Sequence, residues 1–281
     1  MRKKYFASFI SHIYLLLLCF FAIFPLLWII ISSIKGKGEL TGNPTAFLPK
    51  VVTLEYYRHV IFDLGFIINI RNSVIISIAT TAIAITISAL AAYGIVRFFP
   101  KIGNVLSKVL VTTYIFPPIL LAIPYSIVMA KLGLTNTRTG LVLVYLSFSI
   151  PYAVWLLVGF FKTVPIGIEE AVKIEEAAKI DGANKIQVFM QVVIPLVAPG
   201  IVATAIYTFI NVWNEFLYSL ILINDTSKMT VAVALRSLNG SEILDWGDMM
   251  AASTLVVIPS ILFFCLIQNK IAGGLSEGAV K

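Results

Sequence analysis

Apolar residues in this chain come in long unbroken runs, not in the short alternations of a soluble fold. A bilayer core takes about 20 apolar residues per helix. Six runs reach that length, at residues 9–34, 73–96, 106–130, 139–161, 199–223 and 251–268. The pattern predicts an all-α polytopic membrane protein, a single transmembrane domain over residues 1–281 with six helices. Polar positions concentrate between the fourth and fifth runs, at residues 162–197.

Some runs carry breaks or polar stripes. Pro117, Pro118 and Pro124 interrupt the third, and proline removes an amide donor and clashes with the preceding turn. Freed carbonyls inside a membrane need protein or water to satisfy them. The third helix is therefore bent around a pathway or kinked for packing. Pro151 and Pro259 are weaker cases of the same kind. In the second run Ser77, Thr81, Ala84, Ser88 and Ala92 form a small-residue face suited to close helix packing. In the fifth, Thr204, Thr208, Asn211, Glu215 and Tyr218 recur at helical spacing and predict one polar face. Glu215 is the only acidic residue inside a predicted span, where a charge costs roughly 2.5–3.5 kcal/mol on insertion scales. It belongs to a pathway or subunit interface, or it anchors at the outer interface with Trp213. Tyr114, Tyr125, Asn211 and Tyr218 either line a path or pack between helices.

The polar interval 162–197 reads as helix, turn, helix. Residues 170–180 are rich in Ala, Glu and Lys, strong helix formers. Gly182 after Asp181 is a natural stop, because glycine accepts the left-handed conformation that ends helices. Asn184 can cap a second helix, which Pro195 then ends. Ala177 and Ala178 keep one surface narrow enough to enter a groove, and Ile180 and Ala183 add apolar contact. An amphipathic helix on the lipid surface fits less well, since such helices carry bulky apolar anchors. The interval also repeats itself: Glu169 to Ile174 reads EEAVKI, and Glu175 to Ile180 reads EEAAKI.

Composition agrees with the pattern. The chain is 59% hydrophobic and 12% charged, against about 25% charged in soluble domains. Its net charge of +7 follows from basic residues at the cytoplasmic ends of spans, so nucleic acid is not implied. Arg2, Lys3 and Lys4 put the N-terminus in the cytosol, and six spans put the C-terminus there too. Arg97, Lys101 and Lys108 agree, whereas Lys35, Lys37, Lys50, Arg58 and Arg71 fall outside. The opening MRKK resembles the charged region of a signal peptide, but the apolar run after it is too long, which predicts a retained anchor. Cys19 and Cys265 read as buried apolar residues. No metal-ligand spacing occurs, and the two histidines, His12 and His59, do not cluster. There is no G-x-x-x-x-G-K-[S/T] phosphate loop, so energy comes from another chain or a gradient. The near absence of ionisable residues in the spans argues against proton coupling.

The pattern E-A-A, three residues, G, nine residues, then aliphatic-x-aliphatic-Pro resembles the signature of ABC importer permeases. Glu176, Ala177, Ala178, Gly182, Val192, Ile194 and Pro195 carry it. Val212 to Phe216, Asp245 to Ala252 and the tail Gly273 to Lys281 resemble the carbohydrate branch, specifically the smaller maltose-type permease. The resemblance implies a bacterial or archaeal cytoplasmic-membrane transport subunit with no catalysis and no cofactor of its own. ATP and Mg would sit on a partner ATPase dimer. The interval 162–197 would be the coupling loop, with Glu176, Ala177, Ala178, Asp181, Gly182, Ala183 and Pro195 at the contact. Thr208, Asn211, Asn214, Glu215 and Tyr218 would face the pathway or a second, homologous permease. Glu277, Gly278 and Lys281 would reach the ATPase. An extracytoplasmic binding protein would deliver the sugar. A permease for another solute and a secondary transporter are the alternatives. The EEAVKI copy departs from the family pattern. If helical, it lengthens the element by about 9 Å and turns its start by about 240°. Only the second copy keeps the family spacing.

Overall fold

The computed structural model describes residues 2–114, 116–165, 167, 185–238 and 245–278. All of the regular elements there are helices, apart from one isolated bridge between Lys35 and Val52. The principal ones are α1 (Arg2–Ser33), α2 (Phe66–Arg97), α3 (Pro100–Tyr114), α4 (Pro118–Lys131), α5 (Arg138–Thr163), α6 (Ile194–Trp213), the short α7 (Leu217–Leu222) and α8 (Trp246–Gly278). Among the described residues five helical stretches are long and apolar enough to cross a membrane, six when the bent pair α3–α4 is counted as one span.

The third run is broken as the prolines require. α3 and α4 meet at 93°, and Pro117 leads into α4 in an extended conformation. The fifth run departs from expectation at both ends. Pro195 does not end a helix; the helical path runs on from Ile186 to Trp213. A π-helical turn at Phe189–Val193 precedes Pro195, and widening the backbone there accommodates a residue that can neither donate nor fit a regular turn. At the other end helix α6 stops at Trp213, and α7 starts afresh at Leu217. Glu215 and Tyr218 therefore do not share one continuous helical face with Thr204 and Thr208.

Two compact units divide the chain. The first comprises residues 1–68 and 234–259. Its α1 is apolar on all sides and exposed along most of its length, as a lipid-facing helix is. Cys19 lies on that surface, and Cys265 is exposed as well, so neither is the buried residue expected. The segment after α1 is tightly tied. Lys35 is fully buried, with its ammonium 4.9 Å from the Trp28 ring centre and donating to Ala46 O at 2.5 Å. The Glu39 carboxylate accepts from the backbone N–H groups of Lys50, Val51 and Gly36. Those bonds, Lys50's foremost, hold its pKa below the usual carboxylate value. His59 Nδ1 lies 2.9 Å from Asp248 Oδ2. Gly247 is glycine for space: a Cβ there would run into the Tyr56 ring.

The second unit comprises residues 69–233 and 260–281. The stripe on α2 packs as expected: Ser77, Ala84, Ser88 and Ala92 are buried, and Ser88 Oγ reaches Ile150 O on α5. Two apolar clusters occupy its two ends. In one, Tyr93, Phe161 and Phe189 pack their rings together with Leu157, Val193 and Val197. In the other, Ile76, Leu141, Val144 and Tyr145 meet Val212, Tyr218 and Leu222. Asn136, at φ 58°, accepts through Oδ1 from the N–H groups of Asn224 and Asp225. Asparagine is among the residues that tolerate this left-handed conformation. Asn69 and Asn72 donate to carbonyls at residues 226–229, so this loop is fastened from both directions.

Candidate solute path and coupling stem

The break between α6 and α7 organises the most chemically distinctive site. Ending α6 leaves carbonyls without partners, and starting α7 leaves amide donors without partners. At the end of α6 Asn214 donates to Ile210 O through both its backbone N–H, at 3.1 Å, and its side-chain Nδ2, at 2.8 Å. Glu215 serves the α7 donors. Its carboxylate accepts from Tyr218 N at 2.9 Å and Ser219 N at 3.2 Å, the first turn of α7. A negative charge at a helix N-terminus is also favoured by the helix dipole. Tyr145 on α5, fully buried, donates its hydroxyl to Glu215 Oε2 at 2.5 Å. All three partners are donors, matched to carboxylate oxygens that accept. Trp213 is buried and packs against Phe209.

Beside this break lies a cavity of about 300 Å³. Thr208, Asn211, Glu215 and Tyr218 line it, together with Tyr114, Phe116 and Pro118 from the α3–α4 break and Tyr125 from α4. The two helix breaks thus open on one space, and Tyr218 Oη ties them by donating to Pro118 O at 3.0 Å. Asn214 turns its amide back to its own helix and is not among the lining residues. Thr204 is buried and bonded to Gly200 O.

Sequence reasoning missed Tyr145, Tyr152 and Tyr207. Tyr152 stacks on Tyr207 with ring centres 4.4 Å apart at 25°, and Tyr114 packs on Tyr152 at 5.2 Å. Tyr114 and Tyr207 hydroxyls are 3.3 Å apart. A usable signal existed: Tyr145 and Tyr152 are seven apart on one helix, and Tyr207 precedes Asn211 by four, so each pair shares a face. The tyrosines read as either path or packing residues, Tyr114, Tyr125 and Tyr218, join rings with neighbours and also line the cavity.

The coupling-loop residues Glu176, Ala177, Ala178, Asp181, Gly182 and Ala183 lie outside the described residues, as does Lys281. Glu277 and Gly278 fall in α8. The stems of the loop are described. Arg97 donates to Val164 O at 2.7 Å on one side. Phe189 packs on Tyr93 at 4.7 Å on the other. The stem residues on both sides therefore pack into one buried cluster with α2, α5 and α6. Close packing continues at Gly200, where a Cβ would run into the Phe160 ring.

A helical bundle of membrane-crossing length, with two broken helices opening on a shared polar and aromatic space, defines a solute-conducting membrane subunit. Residues 84–276 match the model of the binding-protein-dependent transport system inner membrane component. The chain belongs to that family and is the permease subunit of an ABC importer, carrying transport and not catalysis. Such a subunit resides in the inner membrane and works with an ATPase and a solute-binding protein. Among curated relatives, it is 35% identical to the trehalose transport system permease protein of Mycobacterium tuberculosis, covering 93% of each chain. It is 32% identical to the diacetylchitobiose uptake system permease protein of Streptomyces coelicolor, covering 97% of this chain and 88% of the relative. It is also 32% identical to the trehalose/maltose transport system permease protein of Thermococcus litoralis, covering 100% and 99%. The fold is that of a crystallised bacterial ABC transporter involved in import of the acidic polysaccharide alginate. The TM-score is 0.78 at 20% identity, over 96% of this chain and 98% of that one.

Proposed function

We propose that this chain imports a sugar or oligosaccharide, acting as one permease domain beside a homologous second permease. The observation that carries this reading is the near full-length likeness to permeases named for trehalose, diacetylchitobiose and trehalose/maltose. The aromatic and hydroxyl-rich cavity supports it, because sugar rings offer apolar faces and hydroxyl edges.

In this reading both termini are cytosolic and an extracytoplasmic binding protein delivers the sugar. The segment Glu176 to Gly182 docks in a cleft of an ATPase dimer, with Pro195 at the base of the second stem. ATP and Mg stay on that dimer. Closure of the ATPases pushes the loop, and the shared cluster at Tyr93, Phe161 and Phe189 passes the push to the helices around the cavity. Glu277, Gly278 and Lys281 add a tail contact with the same ATPases.

The test is uptake by proteoliposomes holding this chain, its partner permease, ATPase pair and binding protein. Labelled trehalose, maltose and diacetylchitobiose are offered with and without internal ATP. Accumulation of at least one sugar, dependent on ATP, is the expected result. ATP-dependent uptake of a phosphate or metal oxyanion with none of any sugar would overturn it.

A further inference from the structure

We propose that the cavity of this subunit is itself a saccharide subsite, selective for uncharged sugars over acidic ones. The inference rests on the sugar-import reading and adds where in the chain selection occurs and what it rejects. Tyr152 and Tyr207 form a stacked pair beside Tyr114, a broad aromatic surface for the apolar face of a pyranose. Thr208 and Asn211 on α6 supply hydroxyl and amide groups at the same wall. The volume of about 300 Å³ sits at the lower end of ligand sites, roughly 300–1,000 Å³. It accommodates part of a saccharide and not a long oligomer at once.

The charge of the lining decides the selectivity. Thr, Tyr, Phe, Pro, Leu, Ser and Asn side chains make up the wall, with Glu215 its only charged group and no Lys, Arg or His among the described residues. Three donors converge on Glu215 from the protein side. A uronic or sulfonated sugar would bring a second negative charge to a wall whose described residues supply no compensating cation. Like charges roughly 8 Å apart at an effective dielectric of about 20 weaken binding by roughly 30-fold.

The experiment is saturation-transfer NMR on the permease pair with its ATPases in nanodiscs, without binding protein, so that only the membrane site selects. The probes are trehalose, maltose and diacetylchitobiose, each beside its 6-carboxylate derivative. At least one neutral sugar is expected to bind roughly 30-fold more tightly than its acid. Tyr152→Leu should abolish the signal, Tyr152→Phe should retain it, and Glu215→Gln should narrow the neutral-to-acid ratio. Equal binding of neutral and acidic forms overturns the proposal, as does a signal unchanged in Tyr152→Leu. ATP-driven sugar uptake in the same preparation with no saturation transfer overturns the subsite and leaves the importer reading standing. Loss of both removes the two together.

Discussion

Removing one hydroxyl, in Tyr145→Phe, tests whether Glu215 holds the α6–α7 break. The phenol is fully buried and donates to Glu215 Oε2 at 2.5 Å. Phenylalanine keeps the ring and its packing in the cluster with Val144 and Val212. Backbone donors stay on the carboxylate, so the loss is one charge-assisted bond from a buried phenol to a carboxylate that also lines the cavity. Such bonds contribute about 1.5–3 kcal/mol. For a unit of this size each kcal/mol is roughly 2–4 °C of melting temperature. About 2 kcal/mol therefore predicts a drop of roughly 4–8 °C by scanning fluorimetry in nanodiscs. Glu215→Gln should cost a similar amount, because its amide would point a donor at Tyr218 N or Ser219 N. On the Glu215→Gln background Tyr145→Phe should lose much of its effect, giving a coupling of about 1–2 kcal/mol in the double-mutant cycle. A shift under about 1 °C, or strict additivity, would refute the reasoning.

Further outcomes follow from the packing and the loop. Gly200→Ala drives a Cβ into the Phe160 ring and should destabilise by about 1–3 kcal/mol, with partial recovery when Phe160→Leu is added, measured by the same melts. Glu39 has a depressed pKa, so its contribution is present above the ordinary carboxylate value of about 4.3 and is lost as pH falls through the lower folded value. Hydrogen exchange at the Lys50 and Val51 amides, corrected for intrinsic rate, should accelerate in that acidic window, and Glu39→Gln should remove the pH dependence. Deleting Glu169 to Ile174 should preserve ATPase co-purification, since Glu176 to Pro195 keeps its spacing; loss of the complex would show that the wrong copy was assigned.

The membrane spans were legible because a lipid core demands a contiguous apolar run, a one-dimensional property of the chain. The third-helix break was legible for a similar reason, since adjacent prolines forbid a regular helix wherever they occur. The break after Trp213 was not. Leu217 to Ile223 continues the apolar run, and hydrophobicity does not register that Glu215 caps a new helix. Pro195 misled in the opposite sense, because a π-helical turn can carry a helix past proline. The cavity was half legible: Thr208, Asn211, Glu215 and Tyr218 were recognisable as polar positions in an apolar span. Tyr152 and Tyr207 look like ordinary span residues until α5 and α6 are packed together. The pairing of His59 with Asp248, 189 residues apart, has no local signature at all.

The central claim is that this permease converts ATP hydrolysis on a partner into sugar movement through the loop at Glu176 to Pro195. The direct measurement is sugar uptake and ATP hydrolysis in the same proteoliposomes, with wild type and Gly182→Pro compared at equal assembled complex. Wild type should hydrolyse ATP faster when loaded binding protein is added and should accumulate sugar in step. Gly182→Pro should lose both the stimulation and the uptake. Uptake that persists in Gly182→Pro, or that runs on an ion gradient without the ATPase, would contradict the account.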